Sequence, residues 1–274
     1  MSPIVATILG LALGLIAGKL FSVWRKKERF FAACEYWIYL PAQVLPDQND
    51  VFEAMVAKNP YGQKIGKREG LLFSDIRLHI SLILKAKNPH VFRPDLFTDA
   101  EADRESLAAL AKAQSIAKIR YLSEEPLSDN RHLLFVPHLA DAYARLGQAV
   151  LVYDAVTESM MSPAQFSAFL RENDNLEETD AHVRVNWVNS GEQAFASTKG
   201  MIKKGLPELN TAPVRSDNQL LVLAVLGAVA GSFWREGKLN SGVKVECFGD
   251  EFEATLTPGT GTPRLVHLKR IQTH

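Results

Sequence analysis

Cysteine is almost missing from this chain: Cys34 and Cys247 are the two thiols in 274 residues. Far apart and outside any Cys-x-x-Cys spacing, they exclude a disulfide scaffold and a cysteine-rich zinc site, and they fit a reducing compartment. Excess charge is missing too. Lys+Arg total 31 against 31 for Asp+Glu, so nothing draws the whole chain to a polyanion, and no nucleic-acid partner is expected. The seven histidines, His79, His90, His132, His138, His182, His267 and His274, form no HxH or HExxH pattern; no metal and no cofactor is expected. No GxSxG elbow is present. The glycine-bearing basic segment Tyr61 to Gly70 lacks the GxxxxGK[ST] spacing of a phosphate loop and reads as a solvated loop. No long repeat, low-complexity tract or disordered linker breaks the chain.

What is present first is an uncharged apolar run, Pro3 to Gly18, closed by Arg25, Lys26, Lys27 and Arg29. As a helix from Pro3 to Trp24 it would rise roughly 33 Å, against about 30 Å for a hydrocarbon core. Residues 3–24 are therefore expected to span a lipid bilayer, and 1–29 to form an anchor with a basic flank. Lys19 lies near the end, where its stem carries the ammonium to the headgroups, and Phe21, Trp24, Phe30 and Phe31 suit the interfacial belt. A cleaved secretory signal needs a basic region ahead of the apolar run, and the first eighteen positions carry no side-chain charge. With the positive charge all behind the span, the N-terminus is expected outside and the body in the cytoplasm, on the inner membrane as a single-pass protein. Gly10, Gly14 and Gly18 share one helix face, where a second transmembrane helix could approach closely.

Residues 30–274 carry enough chain for one large or two small domains, with a division, if any, near 125–130. Glu35 to Leu40 reads as a strand ending at Pro41, and Val51 to Lys58 as a short helix. The clearest alternation is Ile76, Leu78, Ile80, Leu82 and Leu84 against Arg77, His79 and Ser81. Thr98 with Glu101 opens a helix through Leu107, Leu110 and Gln114; Ser115 to Leu122 alternates again, Lys118 and Arg120 opposite Ala117, Ile119 and Tyr121. Pro137 suits the first turn of a helix that leaves at Gly147. Ala149 to Tyr153 is a buried strand that runs into Asp154. Ser162, Pro163 and Gln165 open another helix with a capping box.

His182 to Val188 is a further strand. Ser190 and Gln193 predict a helix through Phe195, Thr198, Met201 and Ile202 to a basic end at Lys203 and Lys204, stopped by Gly205. The phrase Ala196-Ser197-Thr198-Lys199-Gly200, leading to Gly205-Leu206-Pro207-Glu208-Leu209, resembles one found in a group of bacterial domains of unknown function. The stretch Phe135 to Phe169 is similar to another part of that group. The resemblance covers about a quarter of the chain and implies a bacterial origin and an α+β fold, with no activity to carry over.

Leu220 to Trp234 is a second apolar run. Its uninterrupted part, Leu220 to Ala230, is short for a span, and Asp217 before it with Arg235 and Lys238 after it favour a buried central helix. Three strands end the chain, Val243 to Phe248, Glu251 to Thr257 and Leu265 to Ile271, an antiparallel meander. The expected fold is α+β: one transmembrane helix, then a mixed body ending in that meander.

Two groups of residues offer chemistry. Asp154, at the end of a buried strand with Thr157, Glu158 and Ser159 nearby, is the candidate catalytic position, weighed against an ordinary turn cap. Arg77 with His79, Lys118 with Arg120, and His182 with Arg184 stand opposite the apolar residues of three strands; if those strands share a sheet, they form a basic face for an anionic ligand, an acidic partner or the anionic leaflet. The alternative is a solvated face whose charges pair with nearby glutamates. Three functions follow: a membrane-anchored cytoplasmic binding or adaptor protein, with a transmembrane or cytoplasmic protein partner; a membrane-tethered enzyme with a site near Asp154; and an immunity or defence-associated binding protein.

Overall fold

β1 (Ala32–Leu40) is the strand on which the first half is built. Its alternate residues Ala32, Cys34, Tyr36, Ile38 and Leu40 are buried on one face, and Tyr39 is buried on the other. In this computed structural model the described residues are 30–58, 75–97, 104–173, 178–190, 193–214, 218–240, 242–257 and 263–271. The expected membrane helix with Gly10, Gly14 and Gly18, the loop Tyr61 to Gly70, the Thr98 and Glu101 cap, and Asp217 lie outside them.

The first sheet has the order β2-β3-β1-β4-β5, with β2 Leu78–Leu84, β3 Ser115–Ser123, β4 Leu151–Asp154 and β5 Ser159–Met161, every neighbour antiparallel. Helices α1 (Gln48–Lys58), α3 (His132–Leu146) and α4 (Pro163–Glu172) pack together on one face. Short 3-10 turns at Pro89–Phe92 and Pro94–Phe97, with α2 (Arg104–Ala109), accompany the other face, where Phe92, Phe97 and Leu110 pack with Tyr39, Ile116 and Tyr153.

The second sheet has the order β6-β7-β8-β11-β10-β9, with β6 Arg184–Ser190, β7 Gln193–Lys199, β8 Leu209–Thr211, β9 Val243–Cys247, β10 Asp250–Leu256 and β11 Arg264–Ile271. β9, β10 and β11 form the expected meander, and β8 joins β11 in parallel. Helix α5 (Gln219–Glu236) touches β6, β7 and β9 through a face that buries Val222, Val225, Leu226, Val229, Phe233 and Trp234. Among the described residues it is the one helix long and apolar enough to cross a membrane, and 44% of its length is buried within the fold.

The protein is α+β, with two sheets. One apolar cluster runs through both layers, joining Tyr36 and Ile119 of the first sheet to Ala196 of β7, Met201 of the turn after it and Trp234 of α5. The 125–130 segment lies between β3 and α3 beside the first sheet, whereas the chain crosses to the second sheet between Met161 and Arg184.

Two local expectations are corrected, and two strands are added. The helix expected from Ser190 through Lys204 is strand β7 followed by a 3-10 turn at Met201–Lys204. Ala194, Ala196 and Thr198 are buried at a period of two, so pairing with β6 outweighed a capping pattern that is only local. Pro137 is interior to a helix that begins at His132 rather than in its first turn; the apolar residues from His132 to Val136 are buried as helix, and burial outweighs one lost backbone bond. The short strands β5 and β8 had no signal, because three residues are too few to show a period.

Candidate binding pocket at Asp154

Asp154 ends β4, directly across from Tyr36 on β1. Its Oδ1 accepts the backbone N–H groups of Val156 at 3.0 Å and Thr157 at 3.2 Å, which folds the chain back into β5. Its Oδ2 lies 2.5 Å from the ammonium of Lys203. That lysine is the unexpected member: its side chain is 0% exposed, and its Nζ also sits 5.6 Å from the centre of the Tyr36 ring. An ammonium so placed is tolerable only because a carboxylate meets it at hydrogen-bond distance.

Lys203 reaches the pair from the 3-10 turn Met201–Lys204, which is bracketed by two left-handed glycines, Gly200 at φ 118° and Gly205 at φ 73°. The carboxylate of Glu208 fixes the turn, accepting the N–H of Gly200 at 2.9 Å and those of Met201 and Ile202 at 3.3 Å, and the hydroxyl of Thr198 at 2.8 Å. Thr198 also accepts the Leu209 N–H. The phrase from Ala196 to Leu209 is thus the cradle that aims Lys203. Burial raises the Glu208 carboxyl above its ordinary range, against these hydrogen bonds, which lower it. Phe30, directly after the basic flank, packs on Gly205, where a Cβ would fall 2.1 Å from the Phe30 ring.

Two histidines complete the surroundings. His132 stacks on Tyr121 and its Nε2 bonds the Lys203 carbonyl oxygen at 2.8 Å; burial holds its pKa down to about 4. His182 stacks on Trp234 at 5.3 Å, is itself buried, and neither ring nitrogen has a hydrogen-bond partner among the described residues. Burial first, then the charge of Lys203, holds it well below the usual imidazole range. Burial pushes the Cys34 thiol up to about 12, and it raises the Tyr36 hydroxyl well above its usual value, with the nearby Asp154 carboxylate acting in the same direction.

Beside this cluster lies a cavity of about 200 Å³ between the two sheets. Tyr36, Asp154, Thr157 and Ser159 line one side, Phe166 and Phe169 of α4 another, and His182 and Arg184 a third. The wall offers hydrogen-bonding and charged groups, Asp154, Asp180 and Arg184 among them, beside the apolar Val152, Phe166 and Phe169. Asp154 is engaged at both oxygens, Lys203 is paired, and Cys34 is held as a thiol, so none is poised as a free base or nucleophile.

The six basic positions do not come together. β2 and β3 are neighbours, with His79 across from Arg120 and Ser81 across from Lys118, but Arg184 opens β6 of the other sheet and His182, expected on that strand, lies before it at the end of a 3-10 turn; both line the cavity. Glu35 of β1 lies 2.8 Å from Lys118 Nζ and 3.0 Å from Arg120 Nε, the latter a charge contact without hydrogen-bond alignment. Arg77 is paired with Asp75 at 2.8 Å. Among the described residues no group of histidine, cysteine and acidic side chains could hold a metal ion. Asp154 was visible in the sequence from its place after an apolar strand. Lys203, Tyr36 and Glu208 were not, since their roles depend on contacts across the fold; the signal available for Lys203 and Glu208 was the repeated Gly and the lone acid in the stretch after Thr198.

No protein-family model matches the chain, and no curated protein or solved structure is found to be similar to it.

Proposed function

We propose that this is a membrane-tethered binding protein, anchored by residues 3–24 with its body in the cytoplasm, and that the cavity beside Asp154 receives a small ligand. The observation that carries the ligand site is His182: a buried imidazole whose two nitrogens have no partner among the described residues lines a cavity of about 200 Å³. A buried polar group normally finds a partner, and an unsatisfied one costs about 1–3 kcal/mol. A ligand bearing one hydrogen-bonding group on an apolar frame would recover part of that cost by drawing one imidazole nitrogen, now sealed from solvent, to the cavity surface. The volume lies below the roughly 300–1,000 Å³ of drug-sized sites, which points to a compact occupant. The engaged state of Asp154, Lys203 and Cys34 favours retention over turnover. The same engagement weighs against the enzymatic reading.

The test uses the full chain in mild detergent, with small neutral heteroaromatics such as indole and pyrazole as probes. Binding should raise the melting temperature, and Ala181→Phe, which fills the cavity from its wall, should abolish the shift. If none of these probes shifts the melting temperature and native mass spectrometry finds no co-purifying small molecule, the pocket reading fails. Digestion of the body by protease added to unbroken spheroplasts would overturn the cytoplasmic placement.

A further inference from the structure

Four strands end the two sheets: β2 and β5 in the first, β6 and β9 in the second. Sheet edges are ordinarily guarded against other strands by brevity, charge, proline or bulges. β5 is three residues long, β6 carries Arg184, and β9 carries Lys244 and Glu246. β2 has none of these guards. Its seven residues, Leu78 to Leu84, contain no proline and no Lys, Arg, Asp or Glu, Leu82 is 36% exposed, and Ile76 just before the strand is 87% exposed.

The backbone of this edge has a specific pattern of used and unused groups. The Leu122 N–H donates to the Arg77 carbonyl, and the Lys85 N–H to the Gln114 carbonyl, which sets the phase of the β2–β3 ladder. His79, Ser81 and Ile83 therefore turn their N–H and C=O groups toward β3, and Leu78, Ile80, Leu82 and Leu84 turn theirs outward. Two outward groups are used locally: the Leu78 N–H donates to the Asp75 carbonyl, and the Leu84 carbonyl accepts from Lys87 and Asn88. The N–H and C=O of Ile80 and Leu82, the C=O of Leu78 and the N–H of Leu84 have no partner among the described residues.

We propose that β2 pairs antiparallel with β2 of a second copy of this chain, about a two-fold axis at Ser81. In that register the free groups of Ile80 meet the free groups of Leu82 in the second copy, and the Leu84 N–H meets the Leu78 carbonyl. The two groups already used, Leu78 N–H and Leu84 C=O, face each other and lose nothing. Moving the axis to Ile80 sets the used Leu78 N–H against the free Leu82 carbonyl, so the match is particular to Ser81. A two-fold pairing demands that an edge be complementary to itself, which an edge matched to an unrelated strand has no reason to be. The side chains agree: Leu78 stands across from Leu84 and Ile80 from Leu82, which extends the apolar face, while His79 stands across from Ile83. Just beyond the strand Arg77 approaches Lys85, but Arg77 is paired with Asp75 and the Lys85 ammonium is bonded to the carbonyls of Ala111 and Ala113.

Ser81 would sit on the axis in a non-hydrogen-bonded pair, where Cα atoms approach to about 4.5 Å, within disulfide reach. The test is mild oxidation of the full chain in detergent, with Cys247→Ser removing the half-buried native thiol. Ser81→Cys should give mostly covalent dimer, while Phe248→Cys, at a position 77% exposed in the turn between β9 and β10, should not. Leu82→Lys, which places a charge on the pairing edge, should weaken dimerisation measured by sedimentation roughly tenfold or more. A monomeric full chain, or equal cross-linking at the two cysteine positions, overturns the proposal. A dimer that Leu82→Lys leaves intact overturns it as well, since the contact then lies elsewhere.

Discussion

β1 stands between two carboxylate–cation groups, one beside Tyr36 and the other at the neighbouring Glu35. On one side Tyr36 stands beside the Asp154–Lys203 pair, whose ammonium is 0% exposed. On the other, Glu35 meets Lys118 and Arg120, all partly open to solvent, and also accepts the Trp37 indole N–H at 2.6 Å. The partners are of the same chemical kind at similar distances, yet their consequences differ. In the first case the ammonium is cut off from solvent and depends on the carboxylate; in the second, water and a spare cation stand ready to replace a lost partner. Burial, more than geometry, separates a pair that the fold requires from one that decorates it.

The strongest way to break this contrast is to remove Asp154. Asp154→Ala strands a fully buried ammonium, and unfolding stability should fall by about 3–5 kcal/mol. Lys203→Met should cost less, because Asp154 keeps two backbone N–H donors and some contact with solvent. Replacing both partners with apolar residues should recover part of the loss, so a double-mutant cycle in urea measures the coupling. Equal small effects from both single changes would mean that Lys203 swings out to water when its partner goes.

How this centre was missed in part explains what the sequence can carry. β1, β2, β3, the helix capped by Ser162 and Gln165, and the C-terminal meander were legible because their periods are local and uninterrupted. Asp154 was legible for the same reason. Lys203 was misplaced on a helix because Ser190 and Gln193 satisfy a capping pattern that tertiary pairing overrode, and because its partner lies 49 positions away. The basic face failed on topology: Arg184 alternates properly on its strand, but nothing in a strand's pattern says which sheet it joins.

A smaller effect separates the two faces by pH. His132 and His182 both have folded-state values below the unfolded imidazole, His132 at about 4. As pH falls the unfolded chain takes up these protons first, so their share of stability is complete above about 6.5 and is lost as pH drops toward 4. For His132 alone this reaches on the order of 3 kcal/mol. Glu208, raised by burial, acts in the opposite direction at the acid end. Urea midpoints at pH 7.5 and pH 5 should differ clearly in the parent, and His132→Gln, whose amide can still donate to the Lys203 carbonyl, should shrink the difference to the share of His182.

The open group of charges should yield least. Glu35→Gln leaves a carbonyl oxygen that can still accept the Trp37 N–H, and it leaves Lys118 free to lie against the Trp37 ring, 5.4 Å from its centre. With side-chain exposures of 24% for Lys118 and 43% for Arg120, solvent takes up much of the lost attraction. The expected cost is about 0.5–1 kcal/mol at low salt. Since the interaction is partly screened, raising the ionic strength from about 0.05 to 0.5 M should shrink the difference between Glu35→Gln and parent. The same salt change should leave the cost of Asp154→Ala nearly unaltered, because ions do not enter the space where Lys203 sits. If both costs fall together with salt, the two faces of β1 are equally wet, and the distinction between them does not hold.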